Sequence, residues 1–374
     1  GCGYVTVFED EGRYRMYYRG SGLKVEGKKL SQPHPAVVCY AESADGIHWT
    51  KPNLGLHEFN GTKNNNIILR GEGAHNFCPM LDANPACPPE SKFKAVGGLG
   101  GGLHAFHSAD GIHWASLHEG PVMTQAAFDS QNLAFWDTLN GEYRAYVRDF
   151  RKEGEPGRDI ETAVSKDFIQ WTTPAFVEYV DGRKTELYTS QLIPYYRAPH
   201  LMVGFPARYH VGRGLLTPLN EHVSAAQPRY GNDYTDVGFM TGRDRETFHV
   251  WPEAFIRPGA NMQGQWMYGF GYQAWGLVET RMELPNESLL AYMGEGNTKE
   301  LSLYAREEGW GGTSSRLRRY KIRIDGVVSL SAPMAGGGMV TKPLVFEGNR
   351  LVINFATSAG GSVRVEIQDA AGQP

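Results

Sequence analysis

The chain has 374 residues, 41% of them apolar or aromatic and 21% charged, which is enough to build a core and too apolar for disorder. Lys and Arg number 37 against 41 Asp and Glu, and the net charge of −4 argues against an electrostatic nucleic-acid binder. No stretch reaches the ~18 uncharged residues that a membrane helix needs.

The 46 Gly and 21 Pro mark a turn-rich chain, and 19 Tyr, 17 Phe and 8 Trp supply flat faces for packing or stacking. GCGYVTVFED opens the chain as a strand, followed by alternating runs at GRYRMYYRG and AVVCYAES. The turn SADGIHW, Ser43 to Trp49, then recurs intact at Ser108 to Trp114 and as SKDFIQW at Ser165 to Trp171. A looser copy, TGRDRETFHVW, carries Asp244 and Trp251. Each copy follows an alternating strand (AVVCYAES, GLHAFHS, IETAVS, DVGFMTG), and upstream of each lies another (GRYRMYYRG, SKFKAVGG, GEYRAYVRD, PHLMVGFPARY). Ser and Asp bond the amides of the following turn, Gly46 and Gly111 supply positive φ, and the Trp packs between sheets. The motif is therefore expected to shape turns and do no chemistry, with the four Trp at matching positions.

Four strands per unit, repeating about every 60 residues, predict the blades of a β-propeller. The expected blades span about 3–52, 75–118, 127–175, 185–256 and 262–325. Beyond Gly326, GVVSLSAP, KPLVFEG, RLVINFATS and SVRVEIQD lack the turn motif. The expected fold class is all-β: a five-bladed β-propeller over 1–325, then part of an accessory β-sandwich over 326–374.

Cys2, Cys39, Cys78 and Cys87 have no zinc spacing. Cys78 and Cys87, nine apart in FCPMLDANPACPP, are the pair placed to form a disulfide in an oxidising compartment, although spacing does not set its geometry. His107 and His113 belong to a repeat strand and turn, which gives a metal role little support. The Gly97–Gly102 run lacks the Lys-Ser/Thr and helix of a phosphate loop.

With its Ser-x-Asp-Gly-x-x-Trp turns, five blades and trailing sandwich, the chain resembles five-bladed propeller glycoside hydrolases of the family 43 and family 32 groups. DSQNLAFWD, LYTSQLIPYYRAPHLMVGFPARY, DVGFMTGRD, WPEAFIRPG and AWGLVET look like uncharacterised bacterial proteins labelled as related to the family 32 N-terminal domain. The fructosidase motifs are not intact, since Arg148-Asp149 is followed by Phe150 instead of Pro. The resemblance implies a glycoside hydrolase acting on a poly- or oligosaccharide. It implies no cofactor beyond an ion that some relatives hold in the channel.

Such an enzyme needs a carboxyl to protonate the leaving oxygen and a carboxylate to activate water or attack carbon. The first strand of each blade offers the candidates Asp82, Asp129, Glu186 and Glu279. Asp129 opens the polar run Asp-Ser-Gln-Asn ahead of an apolar strand and is expected as the base. Glu279 ends the apolar run WGLVE, with Trp275 four residues earlier, and is expected as the acid. His75, Asn76, Gln131, Tyr188, Arg197, Arg208 and Trp275 are the expected substrate contacts. Arg148, His200, Trp266 and Tyr272 stand in or beside the same segments. Each has a structural alternative: an Asx turn for Asp82, ion pairing for the Arg residues, inter-blade packing for the aromatics.

Two other functions fit the same fold, a non-catalytic carbohydrate-binding propeller and a glycoside phosphorylase. An Arg/His cluster would favour the phosphorylase. The expected partner is a carbohydrate, with no nucleic acid and no membrane. Intact polysaccharides do not enter the cytoplasm, so a periplasmic or extracellular enzyme with a signal peptide ahead of Gly1 is expected.

Overall fold

Why the repeated turn recurs is visible in its hydrogen bonds. In the computed structural model, which describes residues 2–151, 157–182, 185–212, 217–260, 264–283, 298–307 and 315–373, the Ser43, Ser108 and Ser165 hydroxyls each accept the amide three residues on, at 2.9 Å. Asp45, Asp110 and Asp167 each accept two further amides at 2.7–2.9 Å. Trp114 and Trp171 donate their indole N–H to the carbonyls of Gly111 and Phe168, three residues back. In the first copy the Gly46 carbonyl instead accepts the Tyr304 hydroxyl, and Trp49 packs edge-on against that ring at 5.8 Å. Trp251 departs from the expected match: it lies inside the strand Thr247–Ile256, because the fourth turn lacks the Ser and runs longer. All four Trp are half-buried.

The strands these turns connect form antiparallel meanders in a propeller-like, all-β fold with few helices. The first sheet orders Cys2–Asp10, Arg13–Gly20, Val37–Ser43 and Ile67–Arg70. Its outer strand is Ile67–Arg70, and the segment after Trp49 makes only a bridge, between Thr50 and Glu42. The second sheet runs Cys78–Leu81, Phe93–Gly97, His104–Ser108, Ala115–Ser116, and the third Leu133–Asp137, Glu142–Phe150, Arg158–Ser165, Ala175–Phe176. A fourth, seven-stranded sheet is built around Ala198–Gly204, Tyr234–Gly242 and Thr247–Ile256. Val278–Arg281, Lys299–Glu307 and Arg316–Ile322 form a three-stranded sheet. The core lies between neighbouring sheets: Tyr17, Val38 and Tyr40 pack on Phe77, Ala95 and Phe106, and Val5, Val7 and Met16 on Ala274, Val278 and Tyr304.

The chain divides into two units, 1–281 with 302–321 and 282–301 with 322–374. In the second unit no strand forms over 323–373, and Val340, Val345, Phe346 and Ile367 stand exposed. The alternating pattern expected to make a sandwich has no second layer to pack on among these residues. Cys78 and Cys87, the pair whose spacing left a disulfide open, are both free. Cys78 is buried against Thr6 and Gln131, whereas Cys87 contacts Ser91 and Lys94.

Five segments of the first unit meet through buried polar side chains. Gln131 Nε2 donates to Thr6 Oγ1 and to the Val5 carbonyl, each at 3.1 Å, and Cys78 Sγ lies 3.5 Å from Thr6 Oγ1. Gln191 Nε2 donates to Gln131 Oε1 at 2.9 Å and to the Gln273 carbonyl at 2.6 Å. Beside them the N-terminal strand pairs in parallel with the segment at Trp275: Val7 N to Trp275 O at 2.9 Å, Trp275 N to Val5 O at 2.8 Å. Gly276 makes this approach possible. Its φ is +117°, and a Cβ there would lie 1.9 Å from the Val7 carbonyl oxygen. Gly276→Ala should therefore lower stability by about 3 kcal/mol or more. Urea unfolding checks this, and a variant of wild-type stability would mean the pairing does not form.

Candidate functional site

The local fold that presents Asp129 is set by two buried asparagines. Asn76 and Asn132, both 0% exposed, donate to the Phe128 and Ser130 carbonyls at 2.7–3.2 Å. The Asn76 and Asn132 side-chain oxygens accept the amides of Gly98 and Arg148 on the neighbouring strands. Phe128 between them takes a left-handed φ of 54°, a conformation that non-glycine residues adopt mainly when their surroundings enforce it. The clamp leaves Asp129 with a side chain 49% exposed. Its carboxylate meets Arg148 Nη2 at 3.1 Å, and the same nitrogen donates to the Asp129 carbonyl at 2.9 Å. Asn76 thus holds the loop from within the core, which corrects the expected substrate contact.

Around this pair lies a group of tyrosines. Tyr188, 4% exposed, shares hydroxyl hydrogen bonds of 3.0 Å with Tyr4 and Tyr268. Its ring stacks on Tyr272 at 5.4 Å and Tyr209 at 6.4 Å. Two guanidiniums stand over the same ring, Arg148 at 5.7 Å and Arg158 at 5.9 Å, and both also lie on Phe150. Each guanidinium carries a carboxylate, because Arg158 holds Glu186 at 2.5 Å through its side chain and 3.2 Å through its amide. Two arginine–carboxylate pairs therefore converge on Tyr188. On the other side, Arg19 sits 4.4 Å over the Tyr4 ring and donates to His75 Nε2 at 3.1 Å, which makes that nitrogen an acceptor and the imidazole neutral. Burial, then the Arg19 charge, pushes the His75 pKa down to about 4, with Asp129 opposing. Burial also raises the Tyr188 and Tyr4 hydroxyls above their ordinary range, so both remain neutral donors. The arrangement presents one well-exposed carboxylate over a floor of buried, neutral tyrosines, with cations behind.

The structure brings together Asp129, Glu186, His75, Tyr188, Arg148 and Tyr272 of the expected residues. Others go elsewhere, each for a physical reason. Asp82 is buried in an ion pair with Lys94 and accepts the Tyr143 hydroxyl, a tie that joins the second and third sheets. Arg208 is locked on Asp236 by two bonds of 2.7 and 2.8 Å. Trp275 is core, its indole N–H bonded to the Leu192 carbonyl, and Gln131 belongs to the polar network described above. Glu279 accepts the Tyr196 hydroxyl, Arg197 and His200 are exposed, and Trp266 packs on Tyr234. Glu161 is a carboxyl raised to about 7, first by burial and then by Asp149 and Asp159, but it pairs with Val147, one residue off Arg148, and so points to the opposite face of its sheet.

Tyr4, Arg19, Arg158, Tyr209 and Tyr268 were not singled out in the sequence. A register signal exists for one of them. Tyr4, His75, Asp129, Tyr188 and Tyr272 lie one to three residues before Thr6, Cys78, Gln131, Gln191 and Gln273, the side chains that meet at the buried network. Among the described residues, no group of three or more His, Cys, Asp or Glu converges as a metal site. No described helix is long and apolar enough to cross a membrane.

No protein-family model matches the chain. It is 28% identical over 138 residues to an uncharacterized protein of Mycobacterium tuberculosis strain CDC 1551 / Oshkosh, and 27% identical to one of strain ATCC 25618 / H37Rv. Each match covers 35% of this chain and spans 40% of the relative's length. Among solved structures, the fold is similar to a thermostable family-43 glycoside hydrolase, with 10% identity, a TM-score of 0.51, and 86% and 89% of the two chains covered. An N-acetylgalactosamine deacetylase from F. plautii, in complex with blood group B trisaccharide, matches at 12% identity and a TM-score of 0.47 over 86% and 88%.

Two titrations test these environments. By NMR, His75 should titrate near pH 4; Arg19→Gln should raise that midpoint and Asp129→Asn lower it, and a midpoint near 6.5 would mean His75 is not enclosed by this cluster. Glu161 has a folded pKa raised from 4.5 to about 7, so its contribution to stability is full below pH 4.5 and is lost as the pH rises through 7. Glu161→Gln should flatten the stability–pH curve across that window in urea unfolding, and an unchanged slope would place the carboxyl in water.

Proposed function

We propose that this chain is a carbohydrate-active enzyme of the glycoside hydrolase type, with Asp129 as its working carboxylate. The three-stranded sheet completes a five-bladed ring in this reading, and Thr6, Cys78, Gln131, Gln191 and Gln273 mark its five innermost strands. The likeness to a family-43 glycoside hydrolase supports the architecture and does not assign the chemistry.

The chemistry rests on one observation: two arginine–carboxylate pairs meet at Tyr188, and only one of the two carboxylates is widely open. The Asp129 side chain is 49% exposed, against 17% for Glu186, while Arg148 behind it is 2% exposed. A base that draws a proton from water, or a nucleophile that meets the anomeric carbon, must be reachable and fixed in direction. Asp129 satisfies both conditions, since Asn76 and Asn132 hold its backbone and Arg148 its carboxylate. Glu186, whose partner Arg158 shares the Tyr188 ring with Arg148, supplies the second carboxyl that glycoside cleavage needs, in preference to Glu279, which pairs with Tyr196 outside this cluster. Tyr188 and Tyr4 form the buried floor beneath the two arginine–carboxylate pairs, and Tyr268, half-buried, lies at its edge. A polymeric substrate would place the enzyme in the periplasm or outside the cell.

Asp129→Asn keeps the shape and removes the charge. On a glycan identified by reducing-sugar release, turnover should fall by about 10²-fold or more with melting unchanged. Glu186→Gln should likewise reduce turnover, whereas Glu279→Gln should leave it close to wild type. Wild-type turnover in a normally melting Asp129→Asn protein would refute the assignment.

A further inference from the structure

Arg148 is among the largest fully buried side chains of the protein, at 2% exposure. It uses one nitrogen, Nη2, which donates to the Asp129 carboxylate and carbonyl. Nε and Nη1 are buried and find no acceptor. Beside them, the hydroxyls of Ser130 (0% exposed) and Ser190 (4%) are also without partners. All three residues line one narrow pocket, too tight in this structure for a water molecule, together with Gln131, Tyr188 and Thr189. A buried guanidinium with idle N–H groups is costly, because each has lost water without gaining an acceptor. Two idle hydroxyls on the same pocket make the coincidence specific. A guanidinium has donors only, and a hydroxyl can donate, so what is missing from the pocket is an acceptor-rich group with negative charge. The Phe150 ring, 49% exposed with its centroid 4.3 Å from the guanidinium carbon, and the half-exposed Asp129 carboxylate both lie against Arg148.

We propose that Arg148, Ser130 and Ser190 form the binding site for an oxyanion of the reacting ligands, in a pocket that widens on binding. The oxyanion is either a carboxylate or sulfate carried on the sugar, or free inorganic phosphate. The identity of the ligand rests on the carbohydrate reading, whereas its charge rests on the pocket alone. Asp129 then shares Arg148 with the incoming anion, so ligand charge and the working carboxylate are coupled through one guanidinium.

Isothermal titration calorimetry at fixed ionic strength tests this with sodium phosphate, sodium sulfate, glucuronate, galacturonate and, as neutral control, glucose. At least one oxyanion should bind wild-type protein at least tenfold more tightly than glucose. Ser130→Ala/Ser190→Ala should weaken that binding tenfold or more, and Arg148→Met should abolish it. The serine pair carries the test if the Arg148 variant fails to fold, since it removes two hydroxyls and no charge. Tighter binding of a uronate than of phosphate or sulfate assigns the group to the sugar; phosphate binding without uronate binding assigns it to a free ion. No preference over glucose, or a preference unchanged in the serine variant, overturns the inference. Glycoside turnover without oxyanion binding overturns this site and leaves the hydrolase reading standing, and oxyanion binding without glycoside turnover does the reverse.

Discussion

The structure depends on a short run of buried amide and hydroxyl groups that ties distant strands together. Thr6, Gln131 and Gln191 pass hydrogen bonds from the first sheet to the third, the fourth and the segment at Gln273. All three side chains are 3% exposed or less, so every lost bond would leave a polar group in a dry interior. That cost makes the network a register device. Each strand reaches its partners only when its own polar residue stands at one height, and the residues just before it then meet on one side. Tyr4, His75, Asp129, Tyr188 and Tyr272 are brought together by this shared height.

The repeats were legible in the sequence because their bonds are local. Ser43 and Asp45 find their partners within three residues, so the same heptapeptide makes the same turn wherever it stands. Phe168 shows the limit of that rule: it replaces the glycine of the motif, keeps a φ of 68°, and is tolerated at 0% exposure as part of the core. The trailing sandwich was expected where the turn motif stops, and the loss of a motif does not name what the segments after it pack on.

The site was half legible. Asp129 stood out because four polar residues precede an apolar strand, and the structure uses all four: one opens to solvent and Ser130, Gln131 and Asn132 turn inward. Asp82 and Arg208 carried the same residue types at comparable positions, yet Lys94 and Asp236 neutralise them between strands. Nothing in a single sequence separates an acid that meets a lysine from one that meets a ligand, since the difference lies in contacts across sheets. Arg19 and Arg158 were missed for the converse reason: in an alternating strand an arginine reads as solvent-facing, and here the stem crosses aromatic rings with the charge turned inward.

The parallel pairing of the N-terminal strand with the segment at Trp275 also sets an order of events during synthesis. The strand Cys2–Asp10 is made before its edge partner, and that edge stays unpaired until roughly 270 further residues have been added, which takes tens of seconds at ordinary ribosomal speed. Through that interval Cys2–Asp10 is an open strand edge, the kind that invites pairing with another chain. The same glycine that permits this approach thus leaves Cys2–Asp10 dependent on a segment made much later, and a premature stop before Trp275 would release a chain in which that strand lacks this edge partner.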